Sequence, residues 1–287
     1  MSTQLWADHA RATHPVDPKH EAVINTIQAL LNDEIDPTEA SRSIAATYEP
    51  YFKYEIRKTS SYYKLGIFWS IFCQATRHFG GSKARELADV VVGLASLPPV
   101  RDDAGKPVRH QGGGVYWTDL PEFGAMFRDY GDYIDDEGDD DRDDVGEEWL
   151  KQAPAYLNAT TFLATLFACS SRDVGGTFNR SAALQNALEN DEVPRRQKCV
   201  AMYLEPAAAW MSIAGEKLYH HCAGSSGASS AAAGVLWKGD PSLSIDRWSF
   251  WRERFETLSE AAIGERYRAI AAGAVSRMKE IEVSSPG

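Results

Sequence analysis

The sequence predicts an all-α fold, a single irregular helical bundle of about nine or ten helices interrupted by an acidic, disordered insertion. Three observations favour this fold. Helix start motifs recur along the chain, apolar residues repeat at helical spacing, and almost no segment alternates as a half-buried strand does. No repeat of roughly 20 to 50 residues is present, which disfavours a solenoid. With 287 residues, 44% of them hydrophobic, the chain can build a core without disulfides or a structural metal.

The first two helices are predicted from the residues at their starts. Asp17 offers a side-chain acceptor directly before Pro18, whose fixed φ suits the first helical position. Residues 36–39, Asp-Pro-Thr-Glu, combine a capping acceptor, a proline and a glutamate in the arrangement of a capping box. Pro50 lies within the second of these helices, and we expect it to kink or break that helix.

Further helices are predicted from apolar spacing. Residues 59–79 are too many for a strand and are apolar on more than one side over Leu65 to Cys73, which indicates a central helix packed against several neighbours. Ser82 is expected to cap the next helix and Pro98 to stop it, and another helix is expected over residues 121–133.

In the second half of the chain, one helix is predicted over residues 147–169. Others are expected to begin at Ser181, Pro206, Asp246 and Glu265. We therefore expect a flexible N-terminus over residues 1–16 and one α-helical domain over residues 17–283.

The formal charge of −11 comes from one stretch of the chain. Residues 129–148 hold twelve acidic residues and the single base Arg142, so the remainder has 29 acidic and 29 basic residues out of totals of 41 and 30. No register of this run places an acid, a glycine and a second acid where a calcium-binding EF-hand loop needs them. We expect an acidic, solvated loop insertion at 135–146, disordered over Asp135 to Asp144.

Composition also restricts the partners and the location. The balanced remainder has no basic stripe, so we expect no nucleic acid. No apolar stretch is long enough to cross a bilayer, and the first twenty residues lack the apolar region of a secretory signal, so we expect no membrane. Four widely spaced cysteines without a C-x-x-C pair indicate reduced thiols, and hence a cytoplasmic protein.

Short motifs that suggest chemistry are not supported by their context. His220, His221 and Cys222 are adjacent, and neighbouring helical positions point about 100° apart, so they do not form a zinc site. Ser61 and Lys64 match one element of serine acyl-enzymes, but the K-T-G element is missing. We expect no metal and no cofactor.

A set of polar and aromatic residues within apolar helices is the best candidate for a ligand pocket, because interhelical pockets are apolar with a few placed polar groups. The candidate ligand-binding residues are Arg77, His78, Asn158, Tyr203, Trp210, His221 and Trp248. Core aromatic residues with satisfied polar groups would show the same pattern.

Several segments resemble a known family. They include FWSIFCQATRH in the central helix, P-A-A-A-W at residues 206–210 with the A-G that follows, and the W-x-x-W pair that begins at Trp248. In this order they resemble a family of fungal proteins, the domain of unknown function family 3632, from about Ala22 to Glu282. Ala209 stands where a glutamine is expected. The resemblance implies a single intracellular α-helical domain, sometimes encoded near genes of secondary metabolism, and it brings no catalytic residues.

Three functions remain open at this point. The first is a binding or regulatory module for a small metabolite or a protein. The second is a cofactor-independent isomerase, cyclase or lyase of secondary metabolism, with acid or base groups drawn from Arg77, His78, Tyr203, Glu205 and His221. The third is a homo-oligomer in which exposed aromatic faces pair helices between copies.

Overall fold

The protein is all-α, as predicted. The computed structural model describes residues 2–15, 17–59, 65–110, 114–131, 150–171, 182–190, 197–224 and 233–284. These residues form eleven α-helices and two π-helical turns, and their only β pairings are the isolated bridges Arg101–Pro107 and Arg109–Val115. The acidic insertion predicted at 135–146 lies outside the described residues.

The chain divides into two compact units, where a single domain over residues 17–283 was expected from the sequence. Unit 1 is Met1–Tyr133 with Cys169–Thr177, and unit 2 is Ile134–Ala168 with Phe178–Gly287. Unit 1 contains α1 (Thr3–Thr13), α2 (Pro18–Leu31), α3 (Pro37–Thr59), α4 (Gly66–His78), α5 (Ser82–Ser96) and α6 (Phe123–Met126), which continues as the π-helical turn Phe127–Gly131.

The predicted helix starts in unit 1 are confirmed by capping hydrogen bonds. The Asp17 carboxylate accepts from the backbone N–H of Lys19 at 2.8 Å, and Asp36 accepts from that of Glu39 at 2.8 Å. Helix α3 passes through Pro50 and continues to Thr59.

The N-terminus forms a helix, whereas the sequence analysis expected residues 1–16 to be flexible. The Ser2 hydroxyl accepts from the backbone N–H of Leu5 at 3.2 Å and caps α1. Trp6, Ala7 and Ala10 are fully buried. Burying an indole ring on one helical face stabilises α1 enough to order this segment.

Helix α4 is the centre of unit 1, and it is buried around most of its circumference, as its apolar sequence predicts. The Trp69 indole Nε1 donates to the carbonyl of Pro121 at 2.9 Å, and the Glu122 carboxylate accepts from the backbone N–H of Leu65 at the start of α4. Glu122 has a φ of 68° and Trp117 a φ of 65°, so this turn is held in the left-handed region by its buried contacts.

Unit 2 contains the remaining helices. They are α7 (Ala153–Cys169, whose last residue belongs to unit 1), α8 (Ala182–Leu184) with the π-helical turn Gln185–Glu189, α9 (Gln197–Ala223), α10 (Ile245–Glu260) and α11 (Glu265–Ser284). The helix starts predicted near Asp246 and Glu265 are confirmed. Pro206, predicted to begin a helix, lies instead inside α9. A proline removes one hydrogen bond of the helix without necessarily ending it, and packing of α9 on its neighbours maintains the rest.

A close approach between α9 and α11 depends on the glycine that follows the P-A-A-A-W segment. A Cβ atom added to Gly215 would lie 2.7 Å from Cδ1 of Ile281 on α11. Since real Cβ contacts are longer, a larger residue would require the Ile281 side chain or its helix to shift.

Candidate functional site

The structure distributes the seven predicted pocket residues over both units. Arg77 and His78 lie at the end of α4 in unit 1, and the other five lie in unit 2. His78 is half-buried, and its Nδ1 donates to the carbonyl of Gln74 at 2.7 Å. Its ring lies 6.2 Å from that of His9 on α1. Burial lowers the pKa of His78, so its neutral form is favoured.

Two of the five residues in unit 2 belong to the core. Trp210 is 0% and Trp248 is 1% exposed. Trp210 packs on Phe167, and the Trp248 indole Nε1 donates to the carboxylate of Glu282 at 2.8 Å. These indoles therefore join α7 to α9 and α10 to α11.

The other three residues are more accessible. Asn158 and Tyr203 are half-buried, and the Tyr203 ring packs edge-on against Tyr156 at 5.8 Å. His221 is exposed and lies 5.5 Å from the ring of Phe167. All three lie on α7 or pack against it.

A groove lies close to several of these residues. It has a volume of about 440 Å³ and runs between α7, α9 and α11 of unit 2. Its lining residues are Leu157, Glu205, Ala208, Ala209, Ser212, Ile270, Gly273, Ala274 and Arg277. None of the seven predicted residues lines it, but immediate neighbours of Asn158 and Trp210 do. Glu205, considered above as an acid or base, is part of the lining.

Two ion pairs connect α9 and α11 along the groove. An oxygen of the Glu205 carboxylate lies 2.7 Å from Nη2 of Arg266, and one of Glu216 lies 2.6 Å from Nη2 of Arg277. The glutamates follow one another along α9 in the same order as the arginines along α11, so the two helices run parallel. Eleven positions along each helix separate the two pairs, so the pairs lie about 16 Å apart along the helix axes at 1.5 Å per residue.

Gly273 leaves the middle of the groove open. Among the described residues, no heavy atom lies within 4 Å of the position that its Cβ would occupy. A glycine inside a helix costs about 1 kcal/mol relative to alanine. Packing within the described part of the chain does not require a glycine here. Because Gly273 has no side chain, the α11 backbone is exposed at this point of the groove.

A buried ion pair on another side of unit 2 was not predicted. Arg247 at the start of α10 is 1% exposed and Glu189 is 0% exposed. The Glu189 carboxylate accepts from Nε of Arg247 at 2.7 Å, from the indole of Trp251 at 2.7 Å and from the backbone N–H of Gly234 at 2.8 Å. The only sign of this pair in the sequence is that Glu189 is a charged residue at the end of a mainly apolar run.

The residues considered for zinc are not arranged as ligands. Cys222 is buried, and burial raises the pKa of its thiol to about 12, while His220 and His221 are exposed. In the part of the chain that the structure describes, no group of three histidine, cysteine or acidic residues is placed to hold a metal ion. None of the described helices is long and apolar enough to cross a membrane.

Fold and groove together define an all-α protein whose second unit carries an open groove of ligand size. The family described as "Protein of unknown function (DUF3632)" matches residues 69–255, and the chain belongs to this family, as its sequence motifs predicted. The match runs from α4 to α10 and therefore includes the α7 and α9 sides of the groove, while α11 lies beyond it. No curated protein and no solved structure matches the chain.

Proposed function

We propose that this protein is a binding module that holds a small, mainly apolar molecule in the groove of unit 2. The observation that carries the proposal is the open space of about 440 Å³ above the α11 backbone at Gly273. Small-molecule sites usually measure roughly 300 to 1,000 Å³, with apolar walls and a few polar groups. The groove has this size and this kind of lining.

The lining residues support binding rather than catalysis. Of the five acid or base candidates, Glu205 alone lines the groove, and its carboxylate is already paired with Arg266. General acid–base catalysis needs a group within hydrogen-bonding reach of the reacting atom, commonly with a second group to orient it. Glu205 has an exposed counter-ion instead of such a second group, which favours the binding module over the isomerase, cyclase or lyase.

We also propose that the protein acts in the cytoplasm. Cys73, Cys169 and Cys222 are free thiols. Unpaired cysteines are typical of reducing compartments.

The test uses N-phenyl-1-naphthylamine, an uncharged probe whose fluorescence rises in apolar surroundings. We expect the natural protein to bind the probe and Gly273→Leu to weaken binding about tenfold or more, because the new side chain fills the open space at the middle of the groove. A tenfold change corresponds to about 1.4 kcal/mol, less than burying one aromatic ring contributes. The measurement is a fluorescence titration on the full chain.

The matched control is Ala272→Leu, which adds the same side chain at the next position of α11. Ala272 is exposed and does not line the groove. Circular dichroism and melting curves establish that both variants fold. Titrations of Gly273→Leu and Ala272→Leu that superimpose on that of the natural protein would contradict the proposal.

A further inference from the structure

The two ends of the groove present opposite charges. At one end Glu205 lines the groove with its side chain 35% exposed, while its partner Arg266 lies outside the lining and is 68% exposed. At the other end Arg277 lines the groove and is 34% exposed, while its partner Glu216 is 64% exposed. The lining member, or inner member, of each pair is the less exposed one, so an acidic residue lines one end of the groove and a basic residue lines the other.

The partners of the two inner charges can be exchanged. An ion pair between exposed side chains contributes about 0 to 1 kcal/mol, because water solvates both groups when they separate. A guanidinium has five N–H donors, and Glu216 uses one of those of Arg277 at 2.6 Å, with Glu280 at 3.5 Å from another nitrogen. Arg277 can therefore take a ligand anion without a large loss elsewhere.

The space between the ends is apolar. Among the described lining residues, the hydroxyl of Ser212 is the only side-chain polar group between Glu205 and Arg277. A peptide backbone placed there would lose its hydrogen bonds to water and find few replacements, which costs free energy. A polymethylene chain loses nothing of this kind and gains from burial.

We infer that the ligand is an elongated zwitterion with an alkyl middle, its ammonium at Glu205 and its carboxylate at Arg277. This inference rests on the proposed function and names the class of ligand for the same groove. The charges of such a ligand lie near the two ion pairs, which are about 16 Å apart along the helix axes. An extended ω-aminododecanoic acid spans a comparable distance, whereas ω-aminohexanoic acid is too short to reach both ends.

The experiment measures displacement of N-phenyl-1-naphthylamine from the full chain by ω-aminododecanoic acid, dodecanoic acid and dodecylamine, each below its micelle-forming concentration. Arg277→Gln should weaken the binding of ω-aminododecanoic acid and dodecanoic acid by about fivefold and leave the binding of dodecylamine unchanged. Glu205→Gln should weaken the binding of ω-aminododecanoic acid and dodecylamine by about fivefold and leave the binding of dodecanoic acid unchanged. Comparing variants with the same ligand removes the differences in hydrophobicity between ligands.

The outer partners provide the matched controls. Arg266→Gln leaves Glu205 without its counter-ion and should strengthen ligands that carry an amine. Glu216→Gln should strengthen ligands that carry a carboxylate. A general loosening of the helices would weaken all three ligands in all four variants, so the opposite signs distinguish recognition from structural damage.

The titrations distinguish failure of the zwitterion inference from failure of the proposed function. If Arg277→Gln and Glu205→Gln change all three ligands by the same factor, or if ω-aminododecanoic acid does not displace the probe, the zwitterion inference is overturned. The proposed function survives that outcome provided that Gly273→Leu still weakens binding of the probe. If Gly273→Leu has no effect on the probe, both fail.

Discussion

Two sets of ion pairs in unit 2 use the same chemical groups in opposite surroundings. Glu189 and Arg247 form a pair in which both side chains are at most 2% exposed. In the groove pairs, the outer partners of Glu205 and Arg277 are 68% and 64% exposed. Burial therefore decides what each pair does: the first fixes the positions of chain segments, and the second can exchange partners with a ligand.

The buried pair is satisfied by several donors at once. Besides Arg247 and Trp251, the Glu189 carboxylate binds the backbone N–H of Gly234, and the Glu189 carbonyl accepts from that of Leu236 at 2.8 Å. These bonds attach the segment before α10 to the π-helical turn 185–189. Taking a carboxylate out of water costs several kcal/mol, and only such a full set of donors offsets the cost.

Removing one member of the buried pair is expected to have the largest effect on stability. Arg247→Met should lower the free energy of unfolding by about 3 to 5 kcal/mol, because it leaves the Glu189 carboxylate buried without a counter-ion. The same change at the exposed Arg266 should cost about 0 to 1 kcal/mol. Urea unfolding measures both.

A second substitution tests the reason for this loss. Adding Glu189→Gln to Arg247→Met replaces the stranded carboxylate with a neutral amide and should recover part of the stability. If Arg247→Met lowers the free energy of unfolding no more than Arg266→Met does, burial does not determine how much each ion pair contributes to stability.

Substituting two glycines of unit 2 with alanine should change the stability of the protein in opposite directions. A Cβ at Gly234 would lie 2.6 Å from both the Cβ and the carbonyl oxygen of Glu189, so Gly234→Ala should destabilise the protein by about 1 to 3 kcal/mol. Gly273→Ala adds a methyl group in open space inside a helix and should stabilise by about 0.5 to 1 kcal/mol. Thermal and urea unfolding measure both. Two variants with the same sign would contradict the contrast between filled and open space.

The smallest effect on stability is expected from the half-buried histidines of unit 1. His14 and His78 in unit 1 face the carbonyls of Ala10 and Gln74, and burial is the main cause that lowers the pKa of each. His9 lowers both values further, His20 acts on His14, and Arg77 and the N-terminal amine act on His78.

The sign of the pH dependence follows from the lowered pKa. Between the folded pKa and the ordinary value of about 6.5, the unfolded chain binds more protons than the folded one. The stability is therefore complete above about pH 6.5 and is lost as the pH falls through the folded pKa. Melting curves of His78→Gln should be less sensitive to pH in this range than those of the natural protein. If the melting temperature of His78→Gln depends more steeply on pH than that of the natural protein, His78 is not a source of the stability lost at low pH.

Much of the fold was predictable because helix starts are local. Asp17 and Asp36 act through neighbours two or three residues away, so their caps can be read along the chain. The helix α1 was missed because its stability comes from burial of Trp6, which depends on other elements. Pro206 was assigned to a helix start because the hydrogen bonds that continue α9 across it depend on packing.

The site was less predictable than the fold. The polar and aromatic residues that stood out in apolar helices include Trp210 and Trp248, which are core residues, whereas the groove lining consists mainly of small and aliphatic residues that carry no chemical signal. A groove is formed by what side chains leave empty. Only the positions of α9 and α11 define that space.

The sequence by itself determined the all-α class, most helix starts and the family, because capping, apolar spacing and motif order are properties of neighbouring residues. The tertiary structure alone decided which charges are buried and which are available. Glu189 and Arg247 are 58 residues apart in the chain, and Glu205 and Arg266 are 61 apart. No local pattern distinguishes these pairs, because the difference is the amount of water that packing leaves around them.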